Sequence, residues 1–244
     1  MQLFMRWLQS TADASTGLVT QDGLADWCPP ADVDTEPAQV SSFSQLLGYR
    51  MLAQAADALG KHDDAARARA WLQKLVPAYT AHYYNASSAT YQDGAAAHGA
   101  PNVQTSNGMA LFLGVPSASE RARVVASLVA DVRARAHHLS TGIIGTRVLL
   151  DALSLSRETE TAYKVAVQDT YPGHGHFVRQ NATTLWERWE ATAHDPTGGS
   201  SMHHTGLRRE ALFGPGQSAV YGGGLRRRRI FRRSVVAFYF VFVF

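Results

Sequence analysis

Apolar residues recur at helical spacing along most of the chain, and strand-like alternation is rare. One set recurs every four positions: Leu47, Met51, Ala55 and Leu59. This spacing predicts one face of a helix that ends near Gly60. A second helix begins near His62, and its apolar face is predicted to contain Ala65, Ala68, Leu72, Leu75 and Tyr79. About three residues separate the two helices, so we expect an antiparallel hairpin.

Further helices follow the first pair. Ser117 and Glu120 form a capping-box pattern that opens a helix with an apolar face of Val124, Val125, Leu128 and Val132. Two more helices are predicted at about residues 143–155 and 158–167. Glycine- and proline-rich loops separate these units. Repeated helical hairpins predict an all-α toroid whose loops at one end carry the site, although an α-solenoid has the same local pattern.

The C-terminal part differs in composition from the rest of the 244 residues. Six arginines lie in residues 226–233, and the last ten residues are apolar and β-prone. Without the six arginines, 17 basic residues face 20 acidic ones, so the body is mildly acidic and nucleic-acid binding is not predicted. A membrane-surface anchor is one interpretation of this tail. We favour the other, that residues 213–244 do not belong to the fold; a shifted reading frame or a mispredicted exon would produce such a break in composition.

Other features narrow the class of protein. The chain has a single cysteine, Cys28, which excludes an internal disulfide. No run of residues reaches the roughly 18 apolar positions that a membrane span needs. Residues 1–8 lack the order of a signal peptide and are typical of an amphipathic helix.

Residues 171–190 hold the richest set of chemical groups. Two tryptophans and two carboxylates fall within five positions: Trp186, Glu187, Trp189 and Glu190. Aromatic faces stack on sugar rings and carboxylates perform acid–base chemistry, so this combination indicates a carbohydrate site. The spacing of the two tryptophans equally fits one face of an ordinary helix with a solvated glutamate.

The segment Thr-Thr-Leu-Trp-Glu-Arg-Trp at residues 183–189, followed by Ser-Met-His-His at 201–204, resembles the late active-site signature of bacterial-type α-L-rhamnosidases. These are six-hairpin glycosidases with an (α/α)6 barrel. Other landmarks occur in the family's order: Gly-Leu-Ala-Asp-Trp at 23–27, Gln-Thr-Ser-Asn at 104–107, Leu-Ser-Thr-Gly-Ile-Ile-Gly-Thr at 139–146 and Tyr-Pro at 171–172. The resemblance implies that residues 1–212 form an incomplete (α/α)6 barrel.

The resemblance also implies roles for individual residues. The family removes terminal α-L-rhamnose with inversion, using two carboxyl groups roughly 6.5–9.5 Å apart. Glu187 matches the family's general base. Asp26 and Trp27 match an Asp-Trp pair beside the sugar, with Asp26 recognising a hydroxyl and Trp27 stacking. Trp186 and His204 are implied to complete the sugar pocket. Ala25 stands where the family usually has glycine.

The family's general acid lies in an acidic-Arg-x-x-Gly-Trp-x-Gly-Asp stretch upstream of the Asp-Trp pair, and the printed sequence contains no such stretch. Because each general acid or base contributes roughly 10²–10⁴-fold, we expect this chain by itself to be nearly inactive on ordinary rhamnosides. Two alternatives remain open: a non-catalytic, sugar-binding or structural remnant of such a barrel, or another (α/α)6 glycosidase.

No metal and no cofactor are predicted. His174, His176, His203 and His204 lack zinc-like spacing and an accompanying acidic ligand. The predicted partner is a rhamnoside carbohydrate.

Overall fold

The computed structural model describes residues 2–20, 23, 25–30, 33–92, 100–183 and 185–190. The chain divides into two compact units, residues 1–168 and 169–244. The predicted tail at residues 213–244 lies outside the described residues, so the predicted domain boundary at 212 stays a prediction.

The first unit is built from helices, as the sequence predicted. They are α1 (Gln2–Thr11), α2 (Pro37–Ala58), α3 (His62–Tyr83), α4 (Val103–Leu113), α5 (Ala118–Ala134), α6 (Ile143–Leu155) and α7 (Thr159–Ala166). Among the described loop residues there are four two-residue strands: β1 (Val33–Asp34), β2 (Tyr84–Asn85), β3 (Thr90–Tyr91) and β4 (Ala100–Pro101). β1 pairs with β4 in parallel, and β2 pairs with β3 antiparallel. Within the described part of the chain, no helix has the length and apolar content needed to cross a membrane.

α2 and α3 form the predicted antiparallel hairpin. The ring of Tyr49 stacks on that of Trp71 with centroids 5.8 Å apart, near the middle of both helices. Towards the start of α2, the Ser42 hydroxyl lies 3.1 Å from the Tyr83 hydroxyl at the end of α3. Gly60 has a φ of +66°, a left-handed conformation that suits glycine at the end of a helix.

The buried face of α2 differs from the predicted one. Leu47 is buried, but Ala55 and Leu59 are exposed. Steps of four residues rotate by about 400°, so the series drifts roughly 40° per step and reaches solvent by its end. The helix instead buries apolar positions that include Leu46, Tyr49, Ala53 and Ala56, together with the polar residues Gln39, Ser42 and Gln45.

The remaining predicted helices are confirmed with small shifts. The Glu120 carboxylate accepts hydrogen bonds from the Ser117 backbone N–H at 3.0 Å and from its hydroxyl at 2.6 Å, which caps α5. Val124, Leu128 and Val132 are buried as predicted, whereas Val125 is half-buried. α6 has the predicted bounds, and α7 is one residue shorter at each end.

Buried amide side chains hold the loops at one end of the helices, where α2, α4 and α6 begin. Gln45 accepts from the Val19 N–H and donates to the Gly17 carbonyl, both at 3.0 Å. Gln104 accepts from the Ser140 N–H at 3.1 Å and donates to the His138 carbonyl at 3.0 Å. Each amide therefore gives a partner to one backbone N–H and one backbone carbonyl of these irregular loops, groups that would otherwise lose hydrogen bonds to water on folding.

The second unit contains α8 (His174–Arg179) and the irregular segment that follows it. The sequence left open a helix carrying Trp186 and Trp189 on one face. Trp186 forms an isolated β-bridge, and residues 187–190 form a bend and a turn, so that helical interpretation is wrong.

Candidate active site

In the first unit, the Asp26 side chain lies inside the protein at the start of α6. It is 2% exposed. One carboxylate oxygen, Oδ2, accepts hydrogen bonds from the Thr105 hydroxyl and, at 2.8 Å, from the Gly142 N–H. The other, Oδ1, accepts from the Gly145 N–H at 2.8 Å. Both oxygens are therefore engaged by donors of α4 and α6.

Two glycines make room for this carboxylate. A Cβ on Gly142 would fall well inside 3.0 Å of the backbone oxygens of Asp26 and Trp27. A Cβ on Gly145 would overlap the Thr105 hydroxyl and come within 2.7 Å of Asp26 Oδ2. The Leu-Ser-Thr-Gly-Ile-Ile-Gly-Thr landmark thus has a structural meaning, because its two glycines admit the Asp26-Trp27 pair.

The electrostatics of Asp26 reflect two opposed effects. Burial raises the pKa of Asp26 above its ordinary value because it penalises the charged form. The hydrogen bonds from Thr105 and the first turn of α6 oppose this rise by stabilising the carboxylate. A helix N-terminus also favours negative charge.

Trp27 stands next to this buried group and is 39% exposed. Its carbonyl oxygen accepts the Ile143 N–H at 2.8 Å, so its backbone is also fixed to α6. The residues on either side of the pair, Ala25 and Cys28, have φ angles of +54° and +57°. These left-handed conformations cost non-glycine residues roughly 1–2 kcal/mol each and are typical of functional turns.

In the second unit, Phe177 of α8 packs between two tryptophans. Its ring stacks on Trp189 with centroids 5.0 Å apart and an interplanar angle of 13°. Trp186 makes a T-shaped contact with the same ring, with centroids 5.4 Å apart. Trp186 and Trp189 are only 7% and 6% exposed. Aromatic pairs of this kind contribute about 0.5–1.5 kcal/mol beyond the area that they bury.

Glu187 lies between these two anchored tryptophans and is itself half-buried. The neighbouring carboxylate has a different environment, since the Glu190 side chain is exposed and accepts a hydrogen bond from the Tyr171 hydroxyl at 2.9 Å. The general-base role of Glu187 stays a prediction, and so does the contribution of Trp186 to a sugar pocket.

Of the four histidines considered as metal ligands, two lie in the described part of the second unit. Burial lowers the pKa of His174 to about 4, and its ring meets Trp189 edge-on at 5.5 Å. Burial also lowers the pKa of His176, which contacts Tyr171 in the same manner. Both contacts involve rings, which suits neutral imidazole. His203 and His204 lie outside the described residues, so the predicted sugar contact of His204 stays a prediction.

Comparison with known proteins identifies the family. The model of the bacterial α-L-rhamnosidase six-hairpin glycosidase domain matches residues 1–208. This chain belongs to that family. An α-L-rhamnosidase of Streptomyces avermitilis is 30% identical over 196 residues, which are 79% of this chain and 18% of that protein. The chain spans about a fifth of the length of the curated relatives that it matches.

Solved structures agree with this membership. The crystal structure of a Streptomyces avermitilis α-L-rhamnosidase in complex with L-rhamnose superposes with a TM-score of 0.68 at 27% identity, covering 81% of this chain and 18% of the other. The α-L-rhamnosidase of Dictyoglumus thermophilum gives 0.66 at 28% identity, covering 78% and 21%. The predicted six-hairpin helical fold is therefore confirmed.

Sequence reasoning missed the partners of its candidate residues. Thr105, Gly142 and Gly145 lie in landmark segments that matched the family but received no individual role. Phe177 received none either. The signals available were two glycines three positions apart at a helix start, and an aromatic residue shortly before the tryptophan pair.

Proposed function

We propose that this chain is part of a glycoside hydrolase that removes terminal α-L-rhamnose, with Glu187 as the general base of an inverting mechanism. The observation that carries the proposal is the family match over residues 1–208, which includes the Thr-Thr-Leu-Trp-Glu-Arg-Trp segment around Glu187. The similar Streptomyces avermitilis enzyme was solved with L-rhamnose, which supports the choice of sugar.

The environment of Glu187 suits the role of a base. A general base must be held in place, ionised and within hydrogen-bond reach of the attacking water. Trp186 and Trp189 are anchored by Phe177, so the turn between them holds Glu187 while its side chain remains half-buried. Anchoring of this kind reduces the freedom that the base would lose in the transition state.

In the proposed reaction, Glu187 takes a proton from water as the water oxygen forms a bond to the anomeric carbon. The bond to the leaving group breaks on the opposite face, and its electron pair departs with that group. An ordinary alcohol leaving group needs a proton from a general acid. We propose that this acid is supplied from outside the residues of this chain.

For sugar binding we propose Trp27, Trp186 and His204. Trp27 has the exposure that a stacking face requires. Trp186 is nearly buried, so it would form part of a wall and not a stacking surface. The sequence also predicted hydroxyl recognition by Asp26, but both of its oxygens already accept hydrogen bonds from the protein.

The test uses α-L-rhamnosyl fluoride, because fluoride departs without needing a proton and the base step can be measured without the general acid. We expect the chain to hydrolyse it and to release β-L-rhamnose first, as proton NMR would show. Glu187→Gln should lower the rate by about 10²–10⁴-fold. Glu190→Gln is the matched control, because Glu190 bonds to Tyr171, and its rate should stay within about twofold.

Equal activity in wild type and Glu187→Gln would overturn the base assignment. Binding of L-rhamnose without hydrolysis of the fluoride would favour the sugar-binding remnant. Faster hydrolysis of other glycosyl fluorides than of the rhamnosyl compound would indicate a different (α/α)6 glycosidase.

A further inference from the structure

The first turn of α6 obtains its hydrogen-bond acceptors from a distant segment. A helix begins with backbone N–H groups that have no partner within the helix. Serine, threonine, aspartate or asparagine usually supplies a cap, but the N-cap residue of α6 is Gly142, which has no side chain. Asp26 accepts from Gly142 and Gly145, and the Trp27 carbonyl accepts from Ile143. The Asp26-Trp27 pair is therefore the cap of α6.

This arrangement commits Asp26 to the protein interior and not to a sugar. Its Oδ2 receives a hydroxyl and a backbone N–H, and its Oδ1 receives another backbone N–H. The side chain is 2% exposed and is enclosed by two glycines that admit no Cβ. The donors from α4 and α6 occupy the positions at which a sugar hydroxyl would bond to Oδ2 and compete with one at Oδ1.

The neighbouring backbone indicates what the cap achieves. Ala25 and Cys28, on either side of the Asp26-Trp27 pair, have left-handed φ angles. We expect these angles to relax if the bonds between the pair and α6 are lost, because such conformations are costly for non-glycine residues. The bonds to α6 keep the pair in this turn, with the carboxylate of Asp26 inside and the indole of Trp27 outside. The orientation of Trp27 thus depends on the carboxylate beside it.

We infer that Asp26 is a positioning residue, which fixes Trp27 for sugar stacking by tying its turn to Thr105 and the start of α6. The stacking part of this inference rests on the proposed function. The tether itself rests only on the geometry of the first unit.

Cys28 offers a local reporter for the tether. It is the chain's single cysteine, it is half-buried, and it adjoins Trp27. We would measure the rate at which a soluble aromatic disulfide reacts with its thiol under native conditions. Asp26→Asn replaces one acceptor oxygen by a donor that faces N–H groups. The rate should rise about 10- to 100-fold, the factor for losing one hydrogen bond to a buried charge.

A milder pair of variants tests the same contact if Asp26→Asn folds poorly. Thr105→Val removes the hydroxyl, and with it one hydrogen bond to the buried carboxylate, at nearly constant volume, so the rate should again rise by roughly 10- to 100-fold. Thr105→Ser keeps the hydroxyl and should restore the rate to within about twofold of wild type.

Asn107→Ala is the control for general loosening. Asn107 holds the loop of β3 by accepting from the Tyr91 N–H and donating to the carbonyls of Ala89 and Val124, and none of these three bonds involves Asp26. Its Cys28 rate should change less than threefold. Unchanged rates in both Asp26→Asn and Thr105→Val would overturn the tether, as would an equal rise in Asn107→Ala.

Binding of L-rhamnose, followed by tryptophan fluorescence, separates the two proposals. If wild type binds, Asp26→Asn should weaken the affinity at least fivefold while Asn107→Ala leaves it unchanged. Equal affinity in wild type and Asp26→Asn would refute the link to sugar stacking. Absence of binding by wild type would count against the proposed function, and the thiol rates would still decide the tether.

Discussion

Two glycines buried in helices of the first unit should respond in opposite directions to the same substitution. A Cβ on Gly108 in α4 would meet Val148 and the Leu149 backbone at 3.7 and 3.8 Å, which is ordinary van der Waals contact. A Cβ on Gly145 in α6 would lie 2.7 Å from Asp26 Oδ2 and 2.9 Å from Thr141 Cβ, and would overlap the Thr105 hydroxyl. Alanine has a higher helix propensity than glycine at both positions. The difference in stability between the two variants therefore reports the packing around Asp26.

The expected magnitudes follow from these contacts. Gly108→Ala should stabilise the folded state by about 0.5–1 kcal/mol, because alanine loses less backbone entropy in a helix. In Gly145→Ala, overpacking costs roughly 1–3 kcal/mol. Displacing the carboxylate also weakens hydrogen bonds to a buried charge that are worth about 1.5–3 kcal/mol each. We therefore expect a net loss of about 2–5 kcal/mol.

Urea denaturation followed by circular dichroism would measure both variants. With a slope of about 1–3 kcal/mol per molar urea, the two unfolding midpoints should differ by roughly 1–3 M. A midpoint for Gly145→Ala at or above that of wild type would show that the carboxylate is not enclosed as described. A loss in Gly108→Ala equal to that in Gly145→Ala would show that the distances to a new Cβ do not control the outcome.

Three further predictions concern the turn and the second unit. Ala25→Gly should raise the free energy of unfolding by about 0.5–1 kcal/mol, because glycine relieves the left-handed φ. The control Ala66→Gly, on the exposed face of α3, should lower it by about 1 kcal/mol. If urea denaturation shows a lower free energy of unfolding in both variants, the argument is contradicted. His174 takes up a proton near pH 4 when folded and near pH 6.5 when unfolded, so stability should fall by about 1–3 kcal/mol as the pH drops through this window. Urea midpoints at pH 7 and pH 4.5 would test this, and the same drop in His174→Asn would assign it to other groups. Phe177→Leu should reduce the near-ultraviolet circular dichroism of the tryptophans and destabilise the second unit by about 1–3 kcal/mol. The control Val178→Ala, at an exposed site, should change neither the spectrum nor the stability. An unaltered spectrum in Phe177→Leu would refute the anchoring role.

The sequence predicted helices best where local signals mark both ends. α6 runs from Ile143 to Leu155 as predicted, because its apolar repeat begins after Gly142 and stops before Ser156. The buried face of α2 was predicted less well. Gln39, Ser42 and Gln45 are buried because they bond to neighbouring loops and side chains, and a hydrophobic pattern assigns such residues to the surface.

The candidate site shows the same division. Asp26 and Trp27 could be selected by resemblance, but the acceptors and donors that fix them could not. The bonds from Asp26 to Gly142 and Gly145 join residues 116 and 119 positions apart, a separation that no local spacing encodes. The helical interpretation of Trp186 and Trp189 was wrong for a related reason. Spacing of i and i+3 fits a helix, but in this chain both tryptophan rings pack on Phe177 while the backbone between them turns.

The tether of Asp26 has a consequence for how the first unit is specified. A buried carboxylate contributes little net stability by itself, because its desolvation offsets much of what its hydrogen bonds return. Its loss is nevertheless costly, since the N–H groups of α6 and the Thr105 hydroxyl would remain buried without partners. The carboxylate therefore penalises every arrangement in which α4, α6 and the Trp27 turn are displaced from one another. Because only glycine at 142 and 145 leaves room for this carboxylate, the start of α6 and the position of Trp27 are fixed together by the bonds of the Asp26-Trp27 pair, and we expect a shift of one to displace the other.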